Sequence, residues 1–187
     1  MHETAQSISD WALATFGESS SDFRVATRAN EEMAEALKEI AQGNAKKAAE
    51  ECADVLIVLA RLAVRMGLSL SWTTYGGLKP GVRCIDDAQA YAAAGNQKLA
   101  HVMYCLTLRH GYDGVRGEGN PLEQIADCMS ITAGKLGYDI VAEVDRKMAI
   151  NRERKWNVGP DGHGYHVKDD GPQHGITPRS HRLAEAA

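Results

Sequence analysis

Hydrophobic and polar residues alternate with a helical period over most of this 187-residue chain. Between residues 23 and 41, for example, Met33, Leu37 and Ile40 recur at positions i, i+4 and i+7, which is typical of one apolar helix face. The same pattern predicts helices at 5–16, 23–41, 45–66, 86–94, 97–110, 121–136 and 139–156. Because Gly95 and Asn96 lie between the fourth and the fifth of these segments, we expect a break or kink that makes two helices of this region. The fold class predicted is all-α, a helical bundle.

The predicted helix 45–66 is apolar almost all round between Ala53 and Val64. Such a helix is buried on several sides, by other helices of the chain or by a second copy of it. After Trp156 the pattern ends, and three of the five prolines and five glycines fall within 159–179. We therefore expect one helical domain, 1–158, followed by an irregular Gly/Pro-rich C-terminal tail, 159–187.

Composition and charge exclude several classes of function. The chain has 25 acidic against 21 basic side chains and a net charge of −4, whereas a protein that coats nucleic acid needs a basic excess. Aromatic residues make up only 6%, so the core is expected to be aliphatic, which favours helices. The longest apolar stretch is interrupted by Asp54 and Arg61 and is too short to span a bilayer. With no secretory signal pattern at the N-terminus, a cytoplasmic protein without membrane or nucleic-acid partners is expected.

Two kinds of metal protein are also excluded by spacing. Cys52, Cys84, Cys105 and Cys128 form no C-x-x-C pair, so neither a zinc ribbon nor a redox motif is indicated. No glutamate is followed by histidine three residues later, as di-iron helical bundles require.

Two pairs of carboxylates carry the strongest chemical signal. Glu32 and Glu35 are three residues apart on one predicted helix, and Glu51 and Asp54 are three apart on the next, so each pair shares a helix face. The short segment 43–44 between these two predicted helices permits an antiparallel hairpin, which brings the two carboxylate pairs face to face. Four converging carboxylates repel one another unless cations lie between them, and all-oxygen ligands select Mg²⁺ or Mn²⁺.

Simpler interpretations of the same residues remain open. Acidic helix faces are commonly just solvated, and Lys47 with Glu51 has the spacing of an ordinary i, i+4 pair. Asp54 opens the apolar run, where a bare carboxylate is costly to bury without a partner. Arg61, two turns further on, is one possible structural partner.

A basic stripe on the last predicted helix is the second signal. Lys147, Asn151 and Arg154 lie at i, i+4 and i+7, on the same side as Ile140 and Val144. A lysine, an amide and an arginine on an inward face suit phosphate oxygens. The alternative, that cations simply favour a helix C-terminus, does not explain the inward Lys147 and Asn151.

The pattern E-E-x-x-E, fifteen residues, E-x-x-D, with a later K-x-x-x-N-x-x-R, resembles the MazG-like all-α nucleoside triphosphate pyrophosphohydrolases. The opening W-A-L-A-T-F-G at 11–17 is similar to phage-type dATP/dGTP pyrophosphohydrolases of that superfamily. The resemblance covers 11–67 and 143–156, while the stretch 71–136 is longer than the simple family pattern.

The resemblance implies hydrolysis of a (d)NTP to a (d)NMP and pyrophosphate with two or three Mg²⁺ or Mn²⁺ ions per site. It also implies a homodimer or homotetramer, located in the host cytoplasm if the chain is phage-encoded. The MazZ branch of the family uses dGTP and GTP, so guanine nucleotides are the expected substrates. The implied metal ligands are Glu32, Glu35, Glu51 and Asp54, and Glu35 would also orient or deprotonate the attacking water. The implied nucleotide contacts are Lys147, Asn151 and Arg154 for phosphates and Trp11 or Trp156 for the base. The alternatives are a dUTP or phosphoribosyl-ATP pyrophosphatase and a non-catalytic helical assembly module.

Overall fold

The computed structural model describes residues 2–75, 85–108, 119–159 and 164–166. Six helices and two short strands make up its regular structure. They are α1 (Ala5–Phe16), α2 (Asp22–Ala41), α3 (Ala45–Met66), α4 (Ile85–Thr107), α5 (Pro121–Lys135), α6 (Ile140–Glu153), β1 (Trp156–Val158) and β2 (Gly164–His166). The predicted all-α helical bundle is therefore confirmed for this part of the chain.

Helix α3 is the centre of the bundle. It packs against α1, α2, α5 and α6, and Leu56, Leu59 and Leu62 are completely buried. The predicted burial of this helix on several sides is confirmed. Because helices of the same chain cover it, its apolar surface does not require a second copy of the protein.

The ends of the first helices follow from local sequence. Thr4 and Ser7 form a capping box in which the Thr4 side chain accepts from the Ser7 backbone N–H, so α1 begins at the predicted residue. Helix α3 ends at Gly67, whose left-handed φ of 64° is cheap only for glycine. The predicted bounds of α1 and α3 agree with the structure.

The predicted break at Gly95 and Asn96 is wrong, because α4 is one continuous helix. Gly95 is buried there against α5. A Cβ at Gly95 would lie 2.9 Å from Met129 Cε and 3.2 Å from Cys128 Cβ. The glycine therefore lets two helices approach closely and does not interrupt one.

The segment after α6 also differs from the prediction. Helix α6 ends at Glu153, and β1 pairs antiparallel with β2, with Trp156 opposite His166. Part of the predicted irregular tail is thus a strand that folds back beside the domain. The Trp156 indole N–H donates to the Asn151 carbonyl oxygen at 3.0 Å, which ties this hairpin to the end of α6.

The N-terminal segment holds α6 from its outer side. The Glu3 backbone N–H donates to Asp145 Oδ1 at 2.8 Å, and Arg152 donates through Nη2 to Glu3 Oε2 at 3.0 Å. Asp145 and Arg152 are two turns apart on α6, so the helix is held at two points.

The remaining sequence predictions concern cysteines and loops. Cys52, Cys105 and Cys128 are buried free thiols on helices. Cys84, the end of the predicted helix 97–110 after residue 108, and residues 160–163 and 167–187 of the predicted tail lie outside the described residues. Within the described ranges, no helix combines the length and the apolar character needed to cross a bilayer.

Candidate active site

A cleft of about 320 Å³ opens between α1, α2, α3, α6 and the β1–β2 hairpin. Carboxylates lie on its α2 and α3 side, cations and an amide on its α6 side, and aromatic rings near β1. The lining includes Trp11, Phe16, Arg28, Glu32, Glu35, Glu51, Asp54, Arg61, Lys147, Asn151, Arg154 and Trp156.

Three carboxylates meet at the α2–α3 hairpin. Glu32 and Glu35 project from α2 and Glu51 from α3, and one oxygen of each lies within 4.8 Å of the others. The hairpin brings the two helices together through the turn at Gly43, whose φ is 76°. The predicted convergence of the acidic pairs is thus found for these three side chains.

Burial makes this group of carboxylates electrostatically unfavourable when all are ionised. Glu32 is only 5% exposed, and loss of solvent, followed by the charge of Asp54, raises its pKa to about 7. Desolvation and then Asp54 likewise raise the pKa of Glu51 to about 7. Both carboxyls therefore bind protons more tightly than in the unfolded chain.

Asp54 lies beside the three-carboxylate group and has a cationic partner. Its carboxylate forms an ion pair with the Lys147 ammonium, across the interface between α3 and α6. Burial raises the pKa of Asp54, and the charge of Lys147 opposes that rise. Arg61, the structural partner considered from the sequence, instead donates to the Gly17 carbonyl oxygen at the end of α1.

The predicted basic stripe faces the cleft, but its members differ in their contacts. Lys147 pairs with Asp54, while Asn151 is 7% exposed and accepts from Arg154 Nη1 through Oδ1 at 3.1 Å. Arg154 itself follows the last helical residue and has an extended backbone. This end of the cleft therefore presents an amide and a guanidinium that are already fixed relative to each other.

Three aromatic rings form one wall. Trp11 lies edge-on to Phe16 at 5.3 Å and to Trp156 at 6.1 Å between ring centroids, and Phe16 lies 5.1 Å from Trp156. Gly164 of β2 packs against the Phe16 ring so closely that a Cβ would not fit. This contact joins the β1–β2 hairpin to α1.

Arg28 and Phe16 also line the cleft but were given no site role from the sequence, although Phe16 belongs to the motif at 11–17. Arg28 lies on α2 one turn before Glu32; its guanidinium contacts Glu32 and donates to Glu31 Oε2 at 2.7 Å. The i, i+4 spacing from Arg28 to Glu32 was the available signal.

The donor set fits a hard divalent cation. Carboxylate oxygens are the ligands that Mg²⁺ and Mn²⁺ prefer, and the cluster contains neither thiolate nor imidazole. A cation bound there would favour the ionised carboxylates and so oppose the desolvation and the repulsion that raise the pKa values of Glu32 and Glu51.

The metal-free protein is expected to lose stability as pH rises from about 4.5 to about 7. In that window the folded state keeps protons on Glu32 and Glu51 that the unfolded chain has released, so deprotonation favours unfolding. Thermal melting in the presence of a chelator should show this decline. Each kcal/mol of stability lost lowers the melting temperature by roughly 2–4 °C. Glu51→Gln should flatten the curve, and a melting temperature that rises with pH across this window would contradict the expectation.

All nine residues predicted from the sequence for metal, phosphate or base line this one cleft. Three of the four predicted metal ligands form the carboxylate group, and the fourth, Asp54, pairs with Lys147. In comparisons with known proteins, no family model, no curated protein and no solved structure matches the chain.

Proposed function

We propose that this chain is a metal-dependent nucleoside triphosphate pyrophosphohydrolase that converts a (d)NTP to a (d)NMP and pyrophosphate. The observation that carries the proposal is one cleft of about 320 Å³ with three kinds of wall. Carboxylates suited to Mg²⁺ or Mn²⁺, a row of phosphate-binding donors and an aromatic surface all open into the same space. A triphosphate, its counter-ions and its base need these three environments.

The carboxylate wall is assigned to the metal and the water. Glu32, Glu35 and Glu51 would hold the ion or ions, with Asp54 next to them, and bound Mg²⁺ or Mn²⁺ would neutralise phosphate charge and polarise the bond that breaks. Glu35 is exposed, so its carboxylate is accessible to water and can accept the proton that hydrolysis releases. Hydrolysis of the α–β anhydride adds water across that bond and leaves pyrophosphate and the monophosphate.

The α6 wall is assigned to the phosphates. Arg154 presents a guanidinium whose orientation is supported by its bond to Asn151. Lys147 supplies a second charge, and the same ammonium compensates Asp54 when no phosphate is bound. Charge-assisted hydrogen bonds of this kind are worth about 1.5–3 kcal/mol each.

The aromatic wall is assigned to the base, and guanine nucleotides, dGTP and GTP, are the proposed substrates. The presence of three aromatic rings in the cleft supports the assignment to a base, whereas the choice of guanine rests on the resemblance to the phage-type and MazZ enzymes. Assembly into a homodimer or homotetramer rests on the same resemblance and is measured directly by light scattering.

Assaying all eight common (d)NTPs with Mg²⁺ and with Mn²⁺ tests the proposal. We expect pyrophosphate and monophosphate in equal amounts, fastest from dGTP and GTP. A clear preference for dUTP would favour the dUTPase alternative, and phosphoribosyl-ATP should be assayed beside it. Release of inorganic phosphate in place of pyrophosphate, or no product from any nucleotide, would contradict the proposal.

Calorimetric titration with Mn²⁺ distinguishes the enzyme from a non-catalytic helical module. The enzyme is expected to bind Mn²⁺ through the carboxylate group, with little or no binding by Glu51→Gln. If the wild type binds no Mn²⁺ at millimolar concentration, the module is favoured.

Trp11→Ala is expected to raise KM for dGTP and dATP alike, by roughly 10-fold, since stacking is worth about 1–3 kcal/mol per base and every base has a π-face. Trp72→Ala is the matched control, because Trp72 packs on the main core and does not line the cleft. Steady-state kinetics with both nucleotides measures the effect. If KM rises for only one of them, Trp11 determines selectivity and does not merely add affinity.

A further inference from the structure

Arg28 occupies an unusual position in the cleft. Its guanidinium bridges two carboxylates of α2, contacting Glu32 and donating to Glu31 at 2.7 Å. Glu32 belongs to the three-carboxylate group, whereas Glu31 lies outside it and is 54% exposed. A permanent positive charge therefore touches the candidate metal site from one side.

A divalent cation in the carboxylate group would meet this charge at close range. Two like charges separated by a few ångströms repel, even when partly screened by water. Arg28 can relieve the repulsion by moving away from Glu32. It keeps a second partner in Glu31, and its side chain, 41% exposed, lines the open cleft.

We propose that Arg28 is the resident counter-ion of the carboxylate group and exchanges partners when the site is loaded. It leaves Glu32 as the metal enters, retains Glu31, and donates to an oxygen of the bound polyphosphate. A guanidinium suits both positions, since its planar fork binds carboxylates and phosphates with the same geometry. The inference rests on the proposed metal and polyphosphate site.

A supporting role for Arg28 at the metal site would predict the opposite change in Mn²⁺ affinity. If Arg28 served to orient Glu32 for the metal, its removal would weaken metal binding, as loss of supporting hydrogen bonds does at metal sites. As a competing cation, its removal strengthens metal binding. The direction of the change in Mn²⁺ affinity therefore decides between the two.

The test is a Mn²⁺ titration by calorimetry on the wild type, Arg28→Met, Arg28→Lys and Arg65→Met. We expect Arg28→Met to bind Mn²⁺ about 10-fold more tightly, a single-charge effect at this range, and Arg28→Lys to resemble the wild type. Arg65→Met is the matched control, because Arg65 also pairs with two carboxylates, Asp22 and Glu18, but does not line the cleft. Its Mn²⁺ affinity should not change.

A second titration, with inorganic tripolyphosphate and saturating Mn²⁺, tests the other half of the exchange. Arg28→Met should bind tripolyphosphate about 10-fold more weakly than the wild type, with Arg28→Lys in between. Weaker Mn²⁺ binding by Arg28→Met, or unchanged tripolyphosphate binding, would overturn the exchange while leaving the metal site in place. If neither wild type nor Arg28→Met binds Mn²⁺, the proposed metal site itself fails.

Discussion

Glu51→Gln is expected to reduce kcat/KM with the best nucleotide by more than about 100-fold, while raising the melting temperature of the metal-free protein. Loss of groups that merely support metal ligands typically costs 10–100-fold, so loss of a carboxylate ligand should exceed that. The stability effect has the opposite sign because desolvation and Asp54 disfavour the Glu51 carboxylate and raise its pKa to about 7. A neutral amide of the same shape removes that penalty above this pH.

Glu50→Gln provides the matched control for this result. Glu50 is the preceding residue on α3, yet it pairs with Arg146 at 3.0 Å and does not line the cleft. Its replacement should leave turnover unchanged. Should Glu51→Gln retain the activity of Glu50→Gln, Glu51 would not be a metal ligand.

The features that the sequence predicts well depend on local geometry. The bounds of α1 and α3 follow from helical periodicity, the capping residues and Gly67. The grouping of Glu32, Glu35 and Glu51 follows from i, i+3 spacing and a short hairpin turn. In each case the relevant residues are close in sequence, so the periodicity of the helix nearly determines their relative positions.

The features that the sequence does not predict depend on contacts between distant segments. A glycine such as Gly95 is typical of a helix break. Only the close approach of Met129 shows that it allows two helices to pack together. The pairing of β1 with β2 joins two three-residue strands, too short for a recognisable alternation of polar and apolar positions. Arg61 was a reasonable partner for Asp54 on the same helix, but the packing of α6 against α3 supplies Lys147 instead.

The Asp54–Lys147 pair also leads to the largest expected change in stability. Both side chains are mostly buried, with exposed fractions of 17% and 13%. Lys147→Met is expected to lower the free energy of unfolding by about 3 kcal/mol, the lower part of the range for breaking a buried pair, because Asp54 can take up a proton in response. Denaturant unfolding of the metal-free protein measures this loss, and it should increase at higher pH, where Asp54 must ionise.

The double variant Asp54→Asn/Lys147→Met should recover most of the lost stability, because neither an ammonium nor a carboxylate is then left unpaired. Arg146→Met is the control on the same helix. Arg146 is 40% exposed and pairs with Glu50 and Glu143, so its replacement should cost less than about 1 kcal/mol. If Lys147→Met costs no more than Arg146→Met, or if the double variant is no more stable than Lys147→Met, the pair does not hold α6 against α3. In that event Lys147 would leave Asp54 for phosphate at little energetic cost, and its replacement would alter triphosphate binding more than stability.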